Sequence, residues 1–168
     1  VKTKQVFVQR VAATILTQTT TPLIYAYSTL QIVAYYGNYV MLIEKGAQII
    51  NMTMSGANAG IGNLIAEGNK ERILSVFWEL RAFRYWGAFV LVFSFYYFIE
   101  PFIRIWLGSE YILDRYLLII ILLNIFIGQT RVIVMGFLNG YGLFKDTWSP
   151  VVEACINIGC AVGLGRLM

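Results

Sequence analysis

The sequence contains no histidine. That removes the usual general base near neutral pH and the commonest metal ligand. Cysteine is nearly absent. Cys155 and Cys160 lie in an apolar segment, and their spacing is neither CxxC nor that of a zinc site. They read as small buried apolar side chains, so no metal site and no cofactor is expected. Charge is also scarce, at 13% of residues, where a soluble domain carries about 25%. There is no phosphate-binding loop, no nucleotide fingerprint, no paired catalytic carboxylates and no secretory signal peptide. The expectation is a protein that is not an enzyme and has no nucleic-acid partner.

What is present is apolar: 58% of residues, with a mean hydropathy of +0.67. Runs of about twenty mostly apolar residues recur, the length a helix needs to cross roughly 30 Å of hydrocarbon. Backbone polar groups in lipid must be satisfied within the segment, so each run is expected to be a helix. Five are drawn, at about 11–27, 39–66, 85–107, 116–138 and 150–168. The expected fold class is all-α, a polytopic transmembrane helix bundle of about five helices in one partial transmembrane domain, 1–168. The chain starts in a basic stretch and ends inside an apolar run, so both ends read as cuts in a longer membrane protein.

Local chemistry supports these divisions. Ser149-Pro150 is an N-cap followed by proline at the first helical position. Gly108-Ser109-Glu110 closes the third segment and Gly140-Tyr141-Gly142 the fourth. Pro22 and Pro101 fall inside helices, where kinks are expected. Trp78, Trp86, Trp106 and Trp148 fall near predicted interfaces, as in an aromatic belt.

Lys2, Lys4 and Arg10, then Lys70, Arg72, Arg81 and Arg84, then Lys145 lie on one side if every segment crosses. That side is expected to be cytoplasmic. Between 69 and 84, Ile73, Phe77 and Leu80 share a helical face. The stretch is either an amphipathic interfacial helix or an N-terminal extension of the third span.

Polar groups inside the spans are the informative ones, because each is costly in lipid. In the second segment Glu44, Gln48, Asn51, Ser55, Asn58 and Gly62 follow steps of four and three, one helical face. Such a stripe faces another helix or a water-filled cavity. Lys45 lies beside it, or Glu44 and Lys45 neutralise each other near the headgroups. In the first segment Thr14, Gln18, Thr21 and Tyr25 share a face. In the fourth, Asn124, Gly128 and Arg131 do so, with Gln129 and Thr130 adjacent. Glu153, one turn into the fifth segment, can pair with Arg131. Glu100 and Arg104, at i and i+4, read as a local pair. Gly56-x-x-x-Gly60, Gly136-x-x-x-Gly140 and Gly159-x-x-x-Gly163 permit close helix contact. The sequon Asn51-Met52-Thr53 lies in mid-membrane and is discounted.

Several strings carry a resemblance. They are Tyr36-Gly37-Asn38-Tyr39, the run from Gly62 to Glu71, Glu100-Pro101-Phe102-Ile103-Arg104-Ile105-Trp106-Leu107-Gly108 and Gly128-Gln129-Thr130-Arg131. Asn139-Gly140-Tyr141-Gly142-Leu143-Phe144 and Trp148-Ser149-Pro150-Val151-Val152-Glu153-Ala154 complete the set. In order and spacing they resemble the C-terminal half of bacterial O-antigen or capsule repeat-unit flippases. These belong to the multidrug/oligosaccharidyl-lipid/polysaccharide exporter superfamily. The resemblance implies a partial exporter-superfamily lobe in the bacterial cytoplasmic (inner) membrane. It also implies movement of an undecaprenyl-pyrophosphate-linked oligosaccharide from the inner to the outer leaflet, with membrane lipid and a polysaccharide polymerase or glycosyltransferases as partners. A cavity for pyrophosphate wants fixed cations, and one for sugar wants amides and hydroxyls. Arg131 and Lys45 are candidates for the first; Gln18, Gln48, Asn51, Asn58 and Asn124 are candidates for the second. Two other readings stand beside it: an ion-coupled drug or metabolite exporter of the same superfamily, and a membrane structural or sensory subunit.

Overall fold

The computed structural model describes residues 29–142, together with Val152, Cys155, Ile156 and Gly159. Among the described residues the structure is all-helical. Four α-helices follow one another: α1 (Leu30–Thr53), α2 (Ser55–Glu67), α3 (Lys70–Trp106) and α4 (Arg115–Gly140), with a short 3-10 turn at Ser109–Tyr111. Val152, Cys155, Ile156 and Gly159 are helical and belong to a separate compact unit. The features below lie in the unit Tyr35–Gly142. The expected segments at 11–27 and 150–168, with Pro22, Trp148, Ser149 and Pro150, fall outside the described residues except at those four positions.

One expectation changes and one alternative is decided. The second segment is two helices rather than one, and it begins earlier, at Leu30. The division falls at Met54, whose backbone stays in the helical region (φ −97°, ψ −1°) and whose amide still reaches the Ile50 carbonyl at 3.3 Å; beside it, two hydroxyls bond back to their own helix. Thr53 Oγ1 donates to the Ile50 carbonyl at 2.9 Å and Ser55 Oγ to the Met52 carbonyl at 2.8 Å. Such back-bonding loosens the main-chain ladder. Of the two readings of the stretch 69–84, the second holds: it is an N-terminal extension of the third span and no separate interfacial helix. It is the start of α3, which runs unbroken for 37 residues, about 56 Å, and passes through Pro101 without ending.

The joints are short and chemically defined. Gly68, at φ 73°, ends α2 in the left-handed region that glycine alone enters without strain. Asn69 then caps α3, its Oδ1 accepting the Arg72 amide at 3.1 Å. Beyond α3, Gly108 turns the chain at φ 110°, and Asp114 caps α4 by accepting the Tyr116 amide at 2.8 Å. These ends match the glycine signals at 108–110 and 140–142.

Helices α3 and α4 are long and apolar enough to cross a membrane. Only 22% and 28% of their most apolar stretches is buried, whereas the core helix of a soluble domain is mostly covered. Large apolar side chains instead line an open face of α3, among them Trp86, Phe89, Phe93 and Tyr97.

Two apolar clusters hold the helices together. One joins Tyr39, Ile43 and Ala47 of α1 to Leu91, Ile99 and Ile103 of α3 and to Leu118, Ile121 and Leu122 of α4. The other joins Met54 and the α2 residues Ile61 and Leu64 to Ile73 of α3 and to Ile133 and Phe137 of α4. Between the clusters lies a polar layer: Asn51 on α1, Arg84 on α3 and Gln129 on α4. Close approaches occur where glycine leaves room. A Cβ on Gly46 would meet the Phe95 ring at 2.6 Å, and one on Gly140 would meet Ile65 Cδ1 at 2.6 Å. Gly56 and Gly60 face open space, so that pair mediates no close contact among the described residues.

Candidate functional site

Helices α2 and α4 flank an open groove of about 770 Å³. Ile61 and Gly62 form one wall; Gly128, Arg131, Val132, Met135, Gly136, Asn139 and Gly140 form the other. The two helices run parallel. Met54 lies level with Gln129, both reached by Arg84, and Ile65 lies level with Gly140. Each of these steps is eleven residues, roughly 16 Å of helix. Glycine on both walls keeps the groove open, because there is no side chain to fill it.

The expected face of α4 is present. Asn124, Gly128 and Arg131 are all exposed, and Arg131 sits in the groove with Gly62 and Asn139. The stripe on α1 and α2 is also open: Glu44, Gln48, Asn51, Ser55 and Gly62 are exposed. Its members do not all meet at one place. Lys45 and Gln48 lie on the other side of the Met54 break, where Lys45 Nζ donates to Gln48 Oε1 at 3.3 Å. The alternative pairing of Lys45 with Glu44 does not form, since adjacent residues on a helix point apart. Of the two cations expected at a cavity, the groove therefore holds Arg131 and not Lys45. Gln18, Glu153 and the Asn58 side chain lie outside what the structure describes.

Glu100 and Arg104 do not pair. Among the described residues an ion pair joins Arg72 to Glu67 at 3.0 Å instead. Arg104 is exposed in the last turn of α3, where a surface pair gains little against side-chain entropy.

The largest departure from the sequence reading is Arg84, counted there among the cytoplasmic charges. Its side chain is 1% exposed. The guanidinium spans three elements. Nε donates to the Gln129 carbonyl at 3.2 Å, Nη1 to the Met54 sulfur at 3.5 Å, and Nη2 to Asn51 Oδ1. No carboxylate among the described residues bonds to it. Gln129 is buried beside it, and its Oε1 has no hydrogen-bond partner. A signal existed in the sequence. Ile73, Phe77, Leu80 and Arg84 continue in steps of four, three and four, which places Arg84 on the apolar face of its helix.

Two apolar clefts lie along α3. One is bounded by Leu42, Phe95, Phe98 and Phe102, the other by Phe93, Tyr96, Ile119 and Leu123. Arg115 lies over the Tyr96 ring at 4.9 Å. The described residues contain no group of His, Cys, Asp or Glu able to hold a metal. No protein-family model, curated protein or solved structure matches the chain.

Proposed function

We propose that this chain is part of a polytopic transporter of the bacterial cytoplasmic membrane. Its task would be to flip undecaprenyl-pyrophosphate-linked oligosaccharide repeat units from the inner to the outer leaflet. The observation that carries the reading is the groove between α2 and α4. It places an exposed guanidinium, Arg131, on a glycine-lined wall with an amide, Asn139, nearby. An arginine fork suits the paired oxygens of a phosphate better than a point charge does. An open groove leaves that charge much of its hydration, so it avoids the full penalty of lipid exposure. The exposed amides and hydroxyls at Gln48, Ser55 and Asn124 suit a sugar, and the open aromatic face of α3 suits acyl chains. The resemblance of the ordered strings to repeat-unit flippases points the same way.

An ion-coupled exporter is the weaker reading. It wants a carboxylate deep in the protein, and the buried polar residues among those described are Arg84 and Gln129. A structural or sensory subunit needs no groove with a cation in it.

The test is surface polysaccharide restored by variants of the full-length protein in a strain lacking it. Arg131→Lys is expected to export partially and Arg131→Ala hardly at all, at unchanged abundance. If Arg131→Ala lowers abundance, and Arg131→Ala with Glu153→Ala restores both abundance and export, Arg131 serves the fold and not the substrate.

A further inference from the structure

We infer that Arg84 is a positioning residue that sets the width of the Arg131 groove without touching what passes through it. The groove is fastened at two levels. At one, Ile61 and Ile65 of α2 close against Gly140 of α4. At the other, α2 starts from an irregular turn at Met54, whose amide still reaches the Ile50 carbonyl at 3.3 Å, and the described hydrogen bonds that join that turn to α4 run through the Arg84 guanidinium. Arg84 supplies the link. Through Asn51 and Met54 it holds the hinge from which α2 departs, and through the Gln129 carbonyl it holds α4 two residues before Arg131. One planar group thus ties both walls to α3.

The chemistry calls for a guanidinium. Its donors point in fixed directions and reach three acceptors at once, whereas an ammonium on a flexible stem cannot span them. Stability does not explain the choice. A buried cation bonded to no carboxylate among the described residues is expensive, and an apolar side chain of similar volume is often neutral or stabilising in such a place. What an apolar replacement loses is the directional tie across the break.

The inference rests on reading the groove as a transport path, but its geometric test does not. Spin labels go on the full-length protein in lipid nanodiscs, at Gly62→Cys on α2 and Met135→Cys on α4, in a background where every native cysteine, Cys155 and Cys160 among them, is replaced by alanine. With Arg84 present, the distance between labels is expected to be single and narrow. Arg84→Met and Arg84→Lys should each broaden it by several ångströms, with the melting temperature of Arg84→Met no lower than that of the parent. A narrow distance in both variants overturns the inference, and so does a narrow distance in Arg84→Lys alone, since charge would then suffice. If Arg84→Met fails to accumulate, Asn51→Ala removes one arm of the tie and is expected to broaden the same distance; an unchanged distance there also overturns it. Broadened distances with undiminished export would support the role of Arg84 in the groove and count against the groove as the transport path.

Discussion

Asn51 gives the sharpest energetic test of the polar layer. Its Oδ1 accepts a bond from a guanidinium that is 1% exposed. A hydrogen bond to a charged group contributes about 1.5–3 kcal/mol. Asn51→Leu leaves Nη2 of Arg84 facing an apolar side chain, and no carboxylate among the described residues bonds to it. We expect a loss of about 1.5–3 kcal/mol, a tenfold to more than hundredfold fall in the folded population. Arg84→Met alone is expected near zero, because it removes the charge together with its need for an acceptor. In the double variant Asn51 carries no further cost, so the coupling energy should equal the single Asn51→Leu loss. Reversible unfolding of the purified protein in mixed detergent micelles, read by circular dichroism for all four members of the cycle, measures it. A coupling below about 0.5 kcal/mol would mean that water or another acceptor replaces Asn51. The polar layer would then not be the tie that its geometry implies.

Tyr39 is fully buried, and its hydroxyl accepts the Leu113 amide at 3.2 Å. Tyr39→Phe should cost about 1–3 kcal/mol, and hydrogen exchange should quicken at the Leu113 amide; unchanged exchange would refute the bond. The charge pattern predicts that Asn69→Cys and Ser109→Cys in the full-length protein react with an impermeant thiol reagent from opposite faces of the membrane. Reaction from one face would sink the proposed topology.

The C-terminal ends of α3 and α4 were legible because Gly108 and Gly140-Tyr141-Gly142 stand where long apolar runs stop. Asn69 and Asp114 cap by equally local chemistry, but the third segment was drawn from 85, so the start of α3 at Lys70 was not. The exposed face of Asn124, Gly128 and Arg131 was legible from its period. The Met54 break was not. Nothing in Asn51-Met52-Thr53-Met54-Ser55 forbids a helix, and the two hydroxyl back-bonds that accompany the break are no more than weak local bias. Arg84 was missed for a different reason. A charge counted by its nearness to Lys70 and Arg72 reads as part of a basic loop, while its place on the line through Ile73, Phe77 and Leu80 reads as interior. Only the second count follows the helix. The Arg72–Glu67 pair was equally out of reach, since it spans the Gly68-Asn69 joint and depends on how that joint folds.

The polar layer also bears on how such a chain is made. Asn51 and Met54 precede Arg84 in the sequence, so two of its acceptors exist when α3 is synthesised. The third, the Gln129 carbonyl, comes 45 residues later. At about 5–20 residues per second, the ribosome needs roughly two to nine seconds to reach it. During that interval α3 carries the Arg84 cation with its ligand set incomplete, and α4 carries the missing piece. The arrival of α4 is then the step that commits α3 to its place. A ribosome stalled between 84 and 129 would leave a nascent protein with its most costly charge only partly answered.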